Sequence, residues 1–328
     1  EILAVFVHVV LAVPVVRQNA ATFTAHEPVL VAETTTADEY LYFPQALFVY
    51  GEPQIYILSS QADSDALHDE GWTGRHFSSM DSGKTWSPLP APLSPWILKP
   101  CREQHTPSGE SATCWSYATR TTSDNTTALL RGASFAVTGD PGTLRQTAVV
   151  EATITGFPEP LVQWGNETWM MVTDGDVVDL EHNVAGMILY GKLGADNKYE
   201  APLVVTSDGG KTWMFRSSIK GVPGTPCENP SEHDCIWSDL PSNTTTDPRG
   251  ELFCVFRSVG TNGPLCGTTS RDYGQTWTAL KPLSTPYGVE PKLAKVTSPT
   301  SRLVIASGRP GLWLWAAEEQ YSPLTTAW

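Results

Sequence analysis

The residues best suited to chemistry in this sequence are a few arginines and one group of possible metal ligands. Arg257 ends a strand-like apolar run, and Arg309 stands between glycines and a proline that suggest a shaped turn presenting it. Guanidinium groups are planar and permanently charged, so even a small group of them can bind one anionic group. Cys227, Cys235 and His233 have the types of zinc ligands, but no second pair has metal-like spacing, so we expect no metal.

The composition excludes several classes of protein. Acidic residues outnumber basic ones by 35 to 21 in 328 residues, which gives a formal charge of −14. A surface that binds nucleic acid or anionic lipid throughout must be basic, so both partners are excluded. The sequence contains no metal motif, phosphate loop or redox pair, so no cofactor is implied. The 26 Gly, 26 Pro and 12 Trp residues with few Lys and Glu indicate many short strands joined by turns.

Cysteine spacing and glycosylation triplets point to secretion. Three triplets, which begin at Asn125, Asn166 and Asn243, are acceptors for N-linked sugar. The six cysteines fall in close couples, which are Cys101 with Cys114, Cys227 with Cys235, and Cys254 with Cys266. In an oxidising compartment these couples would form local disulfides, although other connectivities remain open.

The first residues resemble a secretory signal. The run 2–16 is apolar except for His8 and is too short for a bilayer, which needs about 20 residues. It fits the apolar core of a signal peptide without its basic front end, and the alternative is a buried first strand. We therefore expect a truncated signal-like segment at 1–25 and one folded domain at 26–328, with no membrane span in that domain.

One octet recurs along the chain with the pattern [Ser/Thr]-x-Asp-x-Gly-x-Thr-Trp. Its copies are 79–86, 206–213 and 270–277, and a degenerate copy lies at 138–142. The Asp can accept backbone N–H bonds within a tight turn, the Gly supplies a positive φ, and the Trp anchors the turn on an apolar layer. We therefore predict that the octet is a folding device on a β-hairpin and that its aspartates are not catalytic.

The octets divide the chain into repeats. Their aspartates are at 81, 140, 208 and 272, which gives steps of 59, 68 and 64 residues. Strand-like runs of four to six residues precede each octet, and no window shows helical periodicity. Several short strands in each repeat of about 60 residues, closed by an Asp turn, describe the blades of an all-β propeller.

Three well-formed octets at this spacing resemble the Asp-box repeats of the sialidase (neuraminidase) superfamily. The resemblance covers about 40–328 and implies a six-bladed β-propeller with a pocket at the centre of one face. Four octet positions and a further start near residue 289 predict about five blades, so the propeller is expected to be incomplete. The octets are specific for Asp-box propellers and less specific for sialidases, because receptors carry them too.

The resemblance implies three arginines that hold the carboxylate of the substrate. Tyr42 stands where the first arginine is expected, in the stretch that resembles Phe-Arg-Ile-Pro. Arg257 fits the second position, at the end of a strand just before an octet, and Arg309 fits the third. The alternative for Arg257 is a solvent-exposed strand end, and for Arg309 a structural loop.

The resemblance also implies an acid/base Asp, a Tyr nucleophile and a Glu that assists the Tyr. Asp69, ten residues before the first octet, is nearest to the acid/base spacing, with Asp63, Asp65 and His68 as alternatives in the same acidic loop. Asp239, eighteen residues before Arg257, stands where the assisting Glu is expected.

Further positions complete the set implied by the resemblance. Glu159 and Glu290 occupy equivalent places in neighbouring blades and could face the same pocket as Asp239. Tyr321 resembles the nucleophile motif, but the true equivalent is expected in a later blade.

These positions lead to a first hypothesis and two alternatives. The first is a secreted, monomeric glycoside hydrolase of sialidase type that acts on terminal anionic sugars of glycans. The second, favoured by Tyr42 and Asp239, is a propeller that binds glycan or protein without hydrolysis. The third is a hydrolase or lyase for another acidic sugar.

Overall fold

The computed structural model describes most of the chain between residues 40 and 324. The described residues are 40–49, 55–63, 73–79, 81, 83–88, 101–106, 109–120, 126–137, 144–163, 169–195, 198–238, 248–260, 263–285, 287–296, 302–308, 312–317 and 324. All twenty-one regular elements in this part are β-strands, which confirms the predicted all-β class. The part that is described contains no helix long and apolar enough to cross a membrane.

The chain forms two compact units, of which the first includes strands β1–β4. These strands form one sheet in the order β1-β2-β3-β4. Their bounds are β1 (Tyr40–Val49), β2 (Ile55–Asp63), β3 (Thr73–Ser79) and β4 (Ser87–Pro88).

A ten-stranded sheet follows, and its strands are β5 (Cys101–Thr106), β6 (Gly109–Arg120), β7 (Ala128–Val137), β8 (Leu144–Thr155), β9 (Leu161–Val162), β10 (Trp169–Thr173), β11 (Val178–Glu181), β12 (Val184–Leu193), β13 (Lys198–Thr206) and β14 (Thr212–Lys220). Its main order is β10-β12-β13-β14-β8-β7-β6-β5, and β9 and β11 pair with β12. Strand β10 also pairs with the end of β6, so both of its edges are occupied.

Two further sheets complete the second unit. One has the order β15-β16-β17-β18, with β15 (Pro230–Trp237), β16 (Leu252–Ser258), β17 (Cys266–Ser270) and β18 (Lys281–Pro282). The other has the order β19-β20-β21, with β19 (Val289–Val296), β20 (Arg302–Gly308) and β21 (Leu312–Ala316). Strands β15 and β19 are therefore edge strands of their sheets.

Strand β16 shows why these sheets pack in layers. Its residues alternate between two apolar cores, because successive side chains of a strand point to opposite faces. Leu252, Cys254 and Phe256 belong to one core, whereas Phe253 and Val255 belong to the other. All five are fully buried, so both faces of this sheet are covered.

Three first strands carry the same irregularity. In β1, β15 and β19, three steps along the strand are matched by only two on its partner, which is a β-bulge. The shift lies between Tyr42 and Gln45 in β1, and at the matching places 230–233 in β15 and 289–292 in β19. A bulge leaves backbone groups without a ladder partner, so these positions need other hydrogen-bond partners.

The blade prediction is met in part. Consecutive strands pair in order in the sheets β1–β4, β15–β18 and β19–β21, as propeller blades require. Strands β5–β14, however, are joined in one sheet, partly by a parallel pairing of β14 with β8. The number of six blades is not confirmed and stays a prediction, and the degenerate octet and the segment 1–25 lie outside the described residues.

The three octets form the same closed turn. In the second octet, Thr206 and Thr212 donate their hydroxyls to the Asp208 carboxylate at 2.8 and 2.7 Å, and the Thr212 N–H donates to it at 3.0 Å. Asp81 and Asp272 have equivalent partners in their octets. The fifth octet residue is a glycine with φ between 78° and 92° in every copy.

The octet aspartates have perturbed acidities. Hydrogen bonds from Thr85 lower the pKa of Asp81 to about 2. Burial alone would raise the pKa of Asp208, but the bonds from Thr212 and Thr206 lower it to about 2. Each carboxylate is therefore held in its ionised form by its own turn, which agrees with a role in folding.

The disulfides correct the expected local couples. Cys227 bonds with Cys266, and Cys235 bonds with Cys254. The β15–β16 register places Cys235 opposite Cys254, so adjacency across strands and not along the sequence decides this pairing. Cys114 is also disulfide-bonded and lies opposite Cys101 in the β5–β6 register, as the sequence couple suggests.

We predict that Asp208→Asn destabilises the protein at neutral pH and not in strong acid. The pKa of Asp208 lies below its ordinary value of 3.8, so its contribution to stability is present above pH 3.8 and is lost as the pH falls towards 2. At pH 7 the variant should unfold with about 1 kcal/mol less free energy. Denaturant unfolding of both proteins between pH 7 and pH 2.5 measures this difference.

Thr212→Val is the matched comparison, because it removes one donor and keeps the carboxylate. It should show a smaller loss with the same pH trend. A loss for Asp208→Asn that is equal at pH 7 and pH 2.5 would contradict the account of the turn.

Candidate functional site

Charged residues gather where the end of β10 meets the edge strands β15 and β19 of the second unit. We define the carboxylate cluster as five acidic residues at the end of β10, on β15 and at the start of β19, namely Asp174, Asp176, Glu232, Asp234 and Glu290. Arg257 on β16 and Lys292 on β19 are the cations bonded to it. Because β15 and β19 are edge strands, their free N–H groups need acceptors that are not strands.

Asp174 joins the end of β10 to both edge strands. Its Oδ2 accepts the backbone N–H of His233 at 2.9 Å, and the Lys292 ammonium donates to its Oδ1 at 3.4 Å and to its carbonyl at 3.1 Å. Burial would lower the pKa of Lys292, but the charges of Asp174, Asp234 and Asp176 raise it overall. Lys292 is therefore a permanent cation that is bonded to Asp174 at the end of β10.

Gly175 allows the close approach of this turn to β15. A Cβ at this position would lie 2.9 Å from the carbonyl oxygen of His233 and 3.0 Å from the Cα of Asp234. Any side chain would push the two segments apart. The glycine therefore fixes Asp174 and Asp176 on either side of it against the edge of β15.

Asp234 is buried and accepts three backbone N–H bonds. Its Oδ1 accepts from Asp176 at 3.2 Å and from Cys235 at 2.9 Å, and its Oδ2 accepts from Leu293 of β19 at 2.8 Å. Burial, and then the charge of Asp176, raises the pKa of Asp234 to about 6, against the opposing effects of Lys292 and the N–H bonds. Both oxygens are occupied, so this carboxylate holds the site together.

Glu232 links the bulge of β19 to Arg257. Its Oε1 pairs with the Arg257 guanidinium at 2.8 Å, and its Oε2 accepts the N–H of Glu290 at 2.9 Å. Within that bulge Pro291 has no N–H, so Glu290 supplies the donor that the ladder leaves free. The Glu232 side chain remains 19% exposed, so part of this fixed side chain reaches solvent.

Arg257 is held from two sides. Besides the bond to Glu232, its Nη2 donates to the Tyr287 hydroxyl at 3.3 Å. Its Nε is buried without a hydrogen-bond partner in the part of the chain that is described. The guanidinium therefore serves first to position Glu232 and Tyr287.

Two aromatic groups close the other side of the cluster. The His233 ring stacks on Phe256, and its two nitrogens each lie 3.1 Å from a carbonyl oxygen, of Ser231 and Ile188. Burial lowers the pKa of His233, and Asp174 offsets part of this effect. Burial and the charges of Asp174, Glu232 and Glu290 raise the pKa of Tyr190 well above its usual range, so the phenol stays neutral beside three carboxylates.

The structure places some of the sequence-predicted residues in this cluster. Arg257 and Glu290 belong to it, and Glu290 has a positive φ of 44° at the bulge. Glu159 is solvent-exposed before β9 and has no hydrogen bond to a cluster residue. The predicted residues Asp69, Asp239, Arg309 and Tyr321 lie outside the described residues, so their roles stay predictions.

Sequence reasoning missed Glu232, Asp174, Asp176 and Lys292. It placed the assisting carboxylate at Asp239, whereas the first strand of the sheet that contains Arg257 is Pro230–Trp237. The stretch Pro230–Trp237 does not look like a strand, because its buried positions include Ser231, His233 and Asp234. The available signal was a Glu within each bulge, since Glu232 lies in the stretch 230–233 of β15 and Glu290 lies in the stretch 289–292 of β19.

The Cys227–Cys235–His233 arrangement considered for zinc does not occur. Both cysteines are in disulfides, and the His233 nitrogens face carbonyl oxygens. Among the described residues, no group of His, Cys, Asp and Glu has the arrangement of a metal site.

Comparison with solved structures shows the fold to be that of propeller glycosidases. The chain superposes with a TM-score of 0.60 on a protein of unknown function from Dyadobacter fermentans, at 16% identity over 89% of this chain and 82% of that one. A GH93 α-L-arabinofuranosidase of Fusarium graminearum gives 0.51, at 14% identity over 89% and 82%. The Trypanosoma rangeli sialidase also gives 0.51, at 15% identity over 87% of this chain and 48% of that one.

The likeness is one of structure only. The sequence matches no known family model, and no curated protein is significantly similar to it. The chain spans about half of the sialidase chain that it superposes on. At these identities the comparison shows a shared fold, and the chemistry must be argued from the cluster.

We predict that Asp234→Asn has a pH dependence opposite in sign to that of Asp208→Asn. The pKa of Asp234 is raised from 3.8 to about 6, so its contribution to stability is fully present below pH 3.8 and is lost as the pH rises through 6. The wild-type protein should exceed the variant in melting temperature most at pH 4 and least above pH 7. Thermal unfolding from pH 4 to pH 8 measures this difference.

Asp208→Asn, measured in the same buffers, is the internal comparison and should show a difference from wild type that is constant with pH, because the Asp208 contribution changes only below pH 3.8. A gap between wild type and Asp234→Asn that widens with rising pH would show that the N–H bonds outweigh burial and that the carboxyl pKa is lowered.

Proposed function

We propose that this protein is a secreted glycoside hydrolase that acts on the terminal sugar of glycans and that the carboxylate cluster is its active site. The observation that carries the proposal is Glu232, a partly exposed carboxylate fixed by Arg257 at 2.8 Å and by the Glu290 N–H at 2.9 Å. Glycoside hydrolysis usually needs two carboxyl groups, one to protonate the leaving oxygen and one to stabilise the developing cation.

Glu232 and Asp176 are our assignments for these two roles. Glu232 is fixed through both of its oxygens, by Arg257 and by the Glu290 N–H, and we assign to it the carboxylate that stabilises positive charge at the anomeric carbon. Asp176 is exposed, and its backbone is fixed by the bond to Asp234, so its carboxyl is accessible to a substrate. Asp176 donates a proton to the glycosidic oxygen, and the bond from that oxygen to the anomeric carbon breaks. Water then forms a bond to the anomeric carbon and gives a proton back to Asp176.

The proposal agrees with the sialidase resemblance and differs from it in residues. Arg257 keeps the place of a substrate-binding arginine, and Glu290 remains a binding candidate at the rim of the cluster. Asp69 and Asp239 are the sequence-based candidates for the acid/base and assisting carboxylates, and Arg309 for a second arginine. The resemblance implies an anionic sugar, for which three arginines would be needed, and Tyr42 replaces one of them.

Secretion is part of the proposal. Two disulfides among the described residues suit an oxidising compartment. The three glycosylation triplets of the sequence support the same compartment, and their asparagines lie outside the described residues.

We predict that Glu232→Gln abolishes hydrolysis and that Asp176→Asn impairs it according to the leaving group. Loss of the charge-stabilising carboxylate should reduce kcat/KM roughly 1,000-fold or more for every substrate. Loss of the proton donor should cost about 100-fold or more on natural glycosides and much less on 4-nitrophenyl glycosides, whose leaving group needs no proton. Initial rates on both substrate types measure this pattern.

Two comparisons make the result specific. Glu181→Gln breaks a similar ion pair, with Arg216 at 2.9 Å on another strand, and should keep full activity. Asp69→Asn tests the sequence-based proton donor, and a leaving-group effect there instead of at Asp176 would transfer the role to Asp69. Unchanged activity of Glu232→Gln would refute the proposed active site.

A propeller that binds glycans without hydrolysis is the second candidate. It is favoured by the structural use of Asp174 and Asp234, whose oxygens are occupied by N–H groups and Lys292. Binding of glycans with no turnover of any glycoside would establish it.

A further inference from the structure

The carboxylate cluster carries an excess of negative charge. Among the described residues, five acidic side chains meet here and two cations are bonded to them. Both cations are already paired, Arg257 with Glu232 and Lys292 with Asp174. A second anion brought to either cation would compete with a carboxylate that also holds a backbone N–H.

The other polar groups of the site add no positive charge. His233 is buried, its two ring nitrogens face carbonyl oxygens, and burial lowers its pKa, so it is neutral near pH 7. Tyr190 is a neutral phenol, because burial and the charges of Asp174, Glu232 and Glu290 raise its pKa. In the part of the chain that the structure describes, the site thus offers hydrogen-bond acceptors and aromatic surface, and it lacks an uncommitted cation.

These features suit a sugar whose polar groups are hydroxyls. Ionised carboxylates accept hydrogen bonds from hydroxyls strongly, and aromatic faces pack against the apolar faces of sugar rings. A substrate carboxylate would instead meet like charges in a partly desolvated site, which lowers its affinity.

We propose that the carboxylate cluster selects uncharged terminal sugars over anionic ones such as sialic or uronic acids. This inference rests on the proposed function for its location and replaces the anionic substrate that the sequence resemblance implies. Glu232 and Asp174 set this preference for uncharged substrates, because they pair with Arg257 and Lys292 and so neutralise the two cations of the site.

Two sets of probes test the selection with the full chain. The uncharged set is 4-nitrophenyl α-L-arabinofuranoside, β-D-glucoside and β-D-galactoside, and the anionic set is the matching β-D-glucuronide and β-D-galacturonide with 4-nitrophenyl α-N-acetylneuraminide. We expect kcat/KM for the best uncharged probe to exceed that of every anionic probe by about 10-fold or more. Binding of the same probes is measured separately by saturation-transfer NMR, because it does not depend on turnover.

A charge variant ties the preference to the cluster. The negative charge of Glu290 acts on Tyr190 and on Lys292, so it belongs to the field of the site. Glu290→Gln should therefore reduce the ratio of kcat/KM for uncharged probes to kcat/KM for anionic probes several-fold. Glu181→Gln removes a carboxylate elsewhere and should leave the preference unchanged. High salt should also narrow the preference in the wild-type protein, because it screens exposed charges.

The outcomes separate this inference from the proposed function. Cleavage or binding that favours uncharged probes supports the inference, and binding without cleavage supports it while overturning the hydrolase. Equal or better use of an anionic probe overturns the inference and leaves the hydrolase in place. Failure to bind or cleave any probe overturns both.

Discussion

The site depends on side-chain carboxylates that accept the free backbone N–H groups of neighbouring strand edges. Separate sheets leave such edges unpaired, and an unpaired buried N–H is costly. Asp174 accepts the N–H of His233 on β15. On β19, Asp234 accepts the N–H of Leu293, and Glu232 accepts the N–H of Glu290. The same bonds reduce the cost of burying these charges, since a desolvated carboxylate is tolerated when its oxygens are bonded.

This arrangement links folding to chemistry. Carboxylates that hold the edges together also set the negative charge of the site, so the polarity of the pocket follows from the architecture. Within this frame only some groups remain available to a ligand. The Glu232 side chain is partly exposed, and Asp176 is exposed. The carboxylate oxygens of Asp174 and Asp234, in contrast, accept hydrogen bonds from backbone N–H groups and, for Asp174, from Lys292.

The octet repeat made the all-β class and the turns predictable, because each octet Asp has hydrogen-bond partners within four positions. Asp208, for example, accepts bonds from Thr206, Lys211 and Thr212 of its own turn. The site was less predictable, since its bonds join residues such as Glu232 and Glu290 that are 58 positions apart. Strand β15 was missed because it contains the polar residues Ser231, His233 and Asp234 at buried positions, and such a polar sequence is typical of a loop. The Cys235–Cys254 disulfide follows strand register, which the spacing of the two cysteines along the sequence did not reveal.

The central claim is that a sugar binds between Asp176 and Glu232. A crystal structure of the Asp176→Asn variant, soaked with the oligosaccharide that it binds most tightly, tests this most directly. The account predicts a terminal sugar with its anomeric carbon facing Glu232 and its glycosidic oxygen beside residue 176. A sugar bound elsewhere, with the carboxylate cluster left in contact with water alone, would contradict it.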